Sequence, residues 1–99
     1  MQNHTKVYFN FFGYDENSYI DCEMQCGSKA VDIHHLERRN KKNDYIENLV
    51  GLCRDCHINC NDSSFNMYVR VKHLENVMIH IVSLIQLQKQ IDKQKKKWN

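Results

Sequence analysis

The sequence predicts a small α+β domain, in which two short strands and a short helix are stapled by a metal between a short N-terminal helix and a long amphipathic C-terminal one. Three observations carry that prediction: two close pairs of cysteines, two β-like segments separated by a polar loop, and a helical stripe of apolar residues through the last third of the chain. The chain has 99 residues, no proline, no internal repeat and no glycine-serine linker. Only one core of modest size fits that length, so 1–99 is read as a single domain. Its segments are an aromatic N-terminal stretch (1–21), the metal-stapled core (22–61) and a C-terminal helix with a basic tail (62–99).

The elements follow in order. From Lys6 to Ile20, aromatics (Tyr8, Phe9, Phe11, Phe12, Tyr14, Tyr19) interleave with polar residues. A short helix is expected to end at Gly13, its aromatics forming a lid over a small core. Ala30 to Leu36 and Asn48 to Leu52 have strand composition, with the polar stretch Glu37 to Asp44 as the loop between them. Arg54 to Asn61 reads as a short helix. From about Ser63 onward, Val71, Leu74, Val77, Met78, Ile81, Leu84 and Ile85 recur at helical spacing, although Met67 to Val71 also has strand propensity. That stripe is wider than a coiled-coil seam needs. It is expected to pack partly on the aromatic block and partly in a homodimer through this helix.

The formal net charge of +2 conceals an uneven distribution. Lys89, Lys93, Lys95, Lys96 and Lys97 crowd the C-terminal end, and Arg38, Arg39, Lys41 and Lys42 form a second basic cluster in the loop. Both suit a polyanionic partner. No run of about 18 apolar residues exists and no apolar segment follows Met1, so neither a membrane span nor a signal peptide is expected. An intracellular location follows, where thiols stay reduced and clustered cysteines read as metal ligands before disulfides.

Cys22 and Cys26 form a C-x3-C pair followed by Gly27, and Cys53 and Cys56 form a C-x2-C pair after 26 intervening residues. Two such knuckles can converge on one tetrahedral zinc, and a glycine after the second thiolate lets backbone N–H groups fold toward the sulfurs. Cys60 could replace Cys56 in principle. The simpler assignment leaves it as a free thiol packing as a small apolar residue.

A second constellation lies between and beyond the knuckles: Asp32, His34, His35, Asn48, His57 and Asn61. His57 and Asn61 are spaced i, i+4 and would share a helix face. With a third ligand from a facing strand they would make an open divalent-metal site. His34 and His35 would ordinarily point to opposite faces of a strand, unless the pleat breaks near its end. His4, His73 and His80 are read as structural or exposed.

The stretch Cys22 to Asn61, with C-x3-C-G-S-K-A-V-D-I-H-H-L and then E-N-L-V-G-L-C-R-D-C-H, resembles the HNH endonucleases of the ββα-metal superfamily, in the variety with a four-cysteine zinc site. The resemblance covers about 40 residues and implies a zinc-stapled ββα-metal finger that cleaves DNA. It implies that His35 is the general base that deprotonates water, a task suited to an imidazole with an ordinary pKa near 6.5. His34 and His57 would bind a catalytic divalent metal, with Asn61 as a third ligand; Mg2+ is the expected ion, with Mn2+, Ni2+ or Zn2+ as alternatives. Asn48 would hold the base in position across the loop, and Asp32 would orient a neighbouring histidine. Arg38 or Arg39 would clamp phosphate. A bacterial or phage-infected cytoplasm also follows from the resemblance. Two departures stand out: the extra residue within Glu23-Met24-Gln25, where relatives often have C-x2-C, and a loop without the glycine pair of many relatives. The competing reading is a non-catalytic zinc module that binds nucleic acid or protein.

Overall fold

The computed structural model describes residues 1–37 and 42–98 and has a mixed α+β architecture. Its elements are α1 (Asn3–Phe12), β1 (Asp32–His35), a single 3-10 turn (Ile46–Asn48), β2 (Leu49–Leu52), α2 (Arg54–Asn59) and α3 (Ser63–Trp98). Helix α1 ends where expected. Gly13 takes the left-handed conformation (φ 77°) that glycine adopts without a Cβ penalty, and caps the last turn.

The two strands pair antiparallel, with Asp32 opposite Leu52, Ile33 opposite Gly51, His34 opposite Val50 and His35 opposite Leu49. Both are shorter than the sequence suggests. The backbone at Ala30 turns instead to Ile20, whose carbonyl accepts the Ala30 N–H at 2.8 Å. Strand β2 is buried throughout and divides the core. Leu49 joins Tyr8 and Ile20 beneath the aromatic residues of the N-terminal segment, which gives them the expected role as a lid. Val50 and Leu52 join Cys22, Met24, Leu36, Cys53, Cys56 and Val69 on the side of α3.

Beside Gly51 is a polar hub that sequence patterning does not predict. A Cβ on Gly51 would stand 2.7 Å from the Tyr8 hydroxyl, so glycine is what lets Tyr8 approach the strand. Tyr8 then donates to Glu23 Oε2 at 2.7 Å, as does the Gly51 N–H at 2.9 Å. The other oxygen, Oε1, accepts from His73 Nδ1 at 2.6 Å and from Asn76 Nδ2 at 3.1 Å. His73 Nε2 donates to the Ile46 carbonyl at 2.6 Å. Glu23, the first residue of the extended knuckle after Cys22, thus ties α1, β2 and α3 together.

Helix α3 starts at Ser63, with Asp62 Oδ1 accepting the Phe65 N–H as its N-terminal cap. Met67 to Val71 lie within it and form no strand. Its buried face shares only Val77 with the expected stripe. Val69, His73 and Val77 are buried, whereas Val71, Leu74, Met78, Ile81, Leu84 and Ile85 are all exposed. The reason is polar: His73, Asn76 and His80 face acceptors that the body offers, at Glu23, Ile46 and the Phe11 carbonyl. Apolar periodicity alone therefore misplaces the face by about a quarter of a turn. Beyond His80 every described side chain is exposed, and the molecule's 55 Å long axis matches the length of about 54 Å expected for this helix. Among the described residues, no helix is long and apolar enough to cross a membrane.

Candidate metal centre and active site

The first knuckle is a tight loop. The Cys22 N–H donates to the Ser28 carbonyl at 3.0 Å, and the Gln25 N–H donates to the Cys22 carbonyl at 3.0 Å. The extra residue is absorbed by two left-handed backbones, Gln25 at φ 56° and Gly27 at φ 87°. The second knuckle starts α2, where Cys53 Sγ caps the helix by accepting the Cys56 N–H at 3.4 Å.

Together the knuckles bring Cys22, Cys26, Cys53 and Cys56 into one group whose sulfurs all lie within 4.8 Å of one another. Cys26 Sγ is 3.6 Å from Cys53 Sγ and 3.9 Å from Cys56 Sγ. A tetrahedral zinc with Zn–S bonds of about 2.3 Å has sulfur–sulfur edges of about 3.8 Å, close to the two distances from Cys26, so the four thiols could hold such an ion. Cys26, the exposed member, has its thiol pulled down to about 7, first by the Ser28 backbone N–H and then by the neighbouring Cys53 and Cys22 sulfurs. Burial pushes the Cys22 and Cys56 thiols up, and a bound cation would reverse that penalty. Cys60 is not part of the group; it packs against the core beside Phe65.

The histidines divide into two sets because the pleat of β1 does not break. His34 faces α2, its ring centroid 4.6 Å from that of His57. His57 Nδ1 lies 2.9 Å from Asp32 Oδ2, which commits that ring nitrogen and leaves Nε2 as the one that could meet a metal. His34 Nε2 is buried and has no hydrogen-bond partner among the described residues. Burial, with the charges of His57, His35 and Arg70, holds the His34 imidazole below its ordinary pKa. A neutral imidazole has one lone-pair nitrogen, and an Nε2 without a hydrogen-bond partner is able to offer it to a metal.

Asn61 lines the same cleft of about 270 Å3 as His34, His57 and Arg54. It does not do so from a helix. Helix α2 stops at Asn59, and Asn61 sits in the following turn, with its N–H on the Ile58 carbonyl at 3.2 Å. The expected i, i+4 helical pairing of His57 and Asn61 is corrected accordingly.

His35 points the other way. Its Nε2–H donates to Asp44 Oδ1 at 2.8 Å, and its ring meets that of His4, from α1, edge-on at 4.8 Å. Asp44 is steadied by Asn3 Nδ2 at 3.1 Å, and the hydrogen bonds from His35 and Asn3 hold its carboxyl below the usual range. The ligand atoms of His4, His35 and Asp44 also lie close enough together to hold a cation. Asn48, buried, spans the loop: its Oδ1 accepts the Glu37 N–H at 2.6 Å and its Nδ2 donates to the Asn43 carbonyl at 3.1 Å. It thereby fixes the loop ends beside His35 and Asp44. His4 and Asp44 were missed by sequence reasoning, since neither stands in a recognisable spacing with His35. Arg38, Arg39 and Lys41 lie outside the described residues, and Lys42 is exposed. Glu47 is exposed, in keeping with a solvated position. Comparison with known proteins finds no matching family model, no similar curated protein and no similar solved structure.

Proposed function

We propose that the protein is a metal-dependent nuclease of the HNH type that hydrolyses phosphodiester bonds in DNA, with β1, β2 and α2 forming a ββα-metal finger stapled by zinc on Cys22, Cys26, Cys53 and Cys56. The observation that carries the reading is the buried, unshared Nε2 of His34 beside His57, whose Nδ1 is already committed to Asp32. His34 and His57, with Asn61 at the edge of the cleft, would hold the catalytic divalent ion. When bound there, such an ion supplies Lewis-acid stabilisation of the charge that grows on the phosphate and on the leaving oxygen. The protein's own part is to place and hold protons. Asp44 holds His35 through Nε2, so Nδ1 would have to be the nitrogen that accepts a proton from water, and it would have to do so from the side of β1 opposite His34 and His57. Asn48 holds the loop ends that carry this pair. Arg54 and the basic loop would meet the phosphates.

One observation favours the non-catalytic alternative, a zinc module that only binds nucleic acid. The His35 side chain is only 10% exposed, enclosed by His4 and Asp44. Incubating zinc-loaded protein with plasmid and magnesium, manganese or nickel, against a chelator control, separates the two. Metal-dependent nicking or linearisation is expected. His35→Ala should lower the rate by roughly 10²–10⁴-fold with catalytic-metal affinity kept, and His57→Ala should weaken the metal itself. DNA left intact with every metal, while still bound, would sink the nuclease reading in favour of the binding module.

A further inference from the structure

Six exposed apolar residues of α3 stand in unbroken heptad order: Met67, Val71, Leu74, Met78, Ile81 and Ile85, each between 43% and 61% exposed. Their intervals alternate four, three, four, three, four, the spacing of a two-helix supercoil seam. The buried positions, Val69, His73 and Val77, lie on another face, while Met67, Val71 and Leu74 border a hollow they share with Leu36, Tyr45 and Glu47. A seam of this kind needs a partner helix of similar length, about 27 Å from Met67 to Ile85. Among the described residues there is none: α1 has 10 residues and α2 has 6, and both are docked on the sheet.

The intervals read the same in both directions, so the seam matches itself turned end for end. Met67 then meets the partner's Ile85, Val71 meets the partner's Ile81, and Leu74 meets the partner's Met78, with every a position opposite a d position. A parallel pairing would instead bring Asp92 against the partner's Asp92, one heptad after Ile85, and would bunch the lysine tails of both chains together. The end-for-end pairing creates one like-charge approach, Glu75 near the partner's Glu75 at the edge of the seam. Charge therefore favours the antiparallel form.

Length then fixes where the tails go. From the midpoint near Asn76, Ser63 and Lys89 are each about 20 Å away along the axis, and Trp98 about 33 Å. The tail from Lys89 onward consequently overhangs the start of the partner's α3. That end carries Asp55 and Asp62, and a hollow of about 530 Å3 lined by Ile58, Asn61, Asp62 and Phe65. It also holds the cleft of His34, Arg54, His57 and Asn61.

We infer that the protein is an antiparallel homodimer through α3, in which each chain lays its basic tail along the α2–α3 end of its partner. On the nuclease reading, on which this last step rests, the lysines add cationic surface beside the partner's cleft.

The test uses zinc-loaded full-length protein, measured by sedimentation equilibrium and by disulfide trapping in a Cys60→Ser background. The native chain should sediment at twice the monomer mass. Leu74→Glu with Ile81→Glu should return it to monomer mass with zinc content and helicity kept, since both side chains are exposed. Glu75→Cys, close to the two-fold axis, should cross-link to itself. Ile85→Cys should not, because antiparallel copies are about 27 Å apart there. A monomeric native chain at the highest concentration reachable, or self-linking at position 85 in place of 75, would overturn the inference. Neither measurement involves nucleic acid, so failure of the nuclease reading is read separately, in the plasmid assay.

Discussion

The two halves of α3 share one helix and one style of sequence, and meet opposite fates. Between Ser63 and His80 the helix is held to the body; beyond His80 every described side chain is exposed. Apolar content does not separate them, since Ile81, Leu84, Ile85, Leu87 and Ile91 are as apolar as Val69 and Val77. What separates them is the set of polar contacts made by the first half: His73 and Asn76 to Glu23, Arg70 to Glu37 and to the Leu36 carbonyl, and His80 to the Phe11 carbonyl. A domain with a core this small positions its longest helix by buried hydrogen bonds with defined geometry, and leaves its plain apolar surface facing outward.

If that division is right, the largest effect comes from cutting the anchored half at its root, the cysteine cage. Purified protein should carry about one tightly held zinc per chain, and Cys53→Ser should lose both the metal and the fold. Zinc on four thiolates contributes an apparent ~10–16 kcal/mol in small finger peptides, against total domain stabilities of about 5–15 kcal/mol. Cys60→Ser should keep both. Metal analysis and circular dichroism of the two variants decide it; a metal-free Cys53→Ser protein with native ellipticity would remove the cage as a staple.

Next in size is the hub. Glu23→Ala takes the shared acceptor from Tyr8, Gly51, His73 and Asn76 at once. Removing one partner of a buried ion pair costs about 3–5 kcal/mol, so a clear drop in the urea midpoint is expected with zinc still bound. A loss of under about 1 kcal/mol, the range of an exposed pair, would mean that apolar contacts alone hold the first half.

A smaller and graded effect comes from pH. Burial alone would lower the His73 pKa, but the Glu23 hydrogen bond and charge outweigh it and raise the imidazole above its ordinary value. A group raised in the folded state stabilises fully below its unfolded pKa, about 6.5, and that contribution fades as pH rises through the folded value. The urea midpoint should therefore fall from pH 7 upward and level off, and His73→Gln should flatten that fall. An unchanged slope in the variant would place the titrating group elsewhere.

These contrasts also explain what was legible in the chain. The cysteine pairs were readable because ligand spacing is local: each knuckle lies within five residues, and the core needs only to bring two of them together. Strand order and the end of α1 at Gly13 were readable for the same reason. The buried face of α3 was not, because periodicity registers hydrophobicity, while the face is chosen by acceptors at Glu23, Ile46 and Phe11, far away in sequence. The same holds at the candidate site. Asp32 and His57 were singled out within the motif, yet the pairing of His35 with Asp44 and His4 depends on the loop and α1 converging. The division of His34 from His35 followed the simplest rule of strands, which the expectation of a shared site had set aside.

The smallest effect on stability, and the sharpest on function, is expected from the far end. Lys89, Lys93, Lys95, Lys96 and Lys97 all lie in the half of α3 beyond His80, and all are exposed. Truncation after Gln88 removes them together with Trp98 and leaves the seam from Met67 to Ile85 complete. Zinc content, helicity per residue and urea midpoint should stay within error of the full chain, because none of the described residues removed is buried. Binding to duplex DNA should weaken and its salt dependence flatten. Each lysine that neutralises a phosphate contributes about 0.9 to the slope of log affinity against log salt concentration, so loss of two to four contacts would lower that slope by about 2–4. A truncated protein with the same affinity and the same slope would show that the lysines merely keep an outlying helix in solution; the basic loop and Arg54 would then carry the phosphate contacts alone.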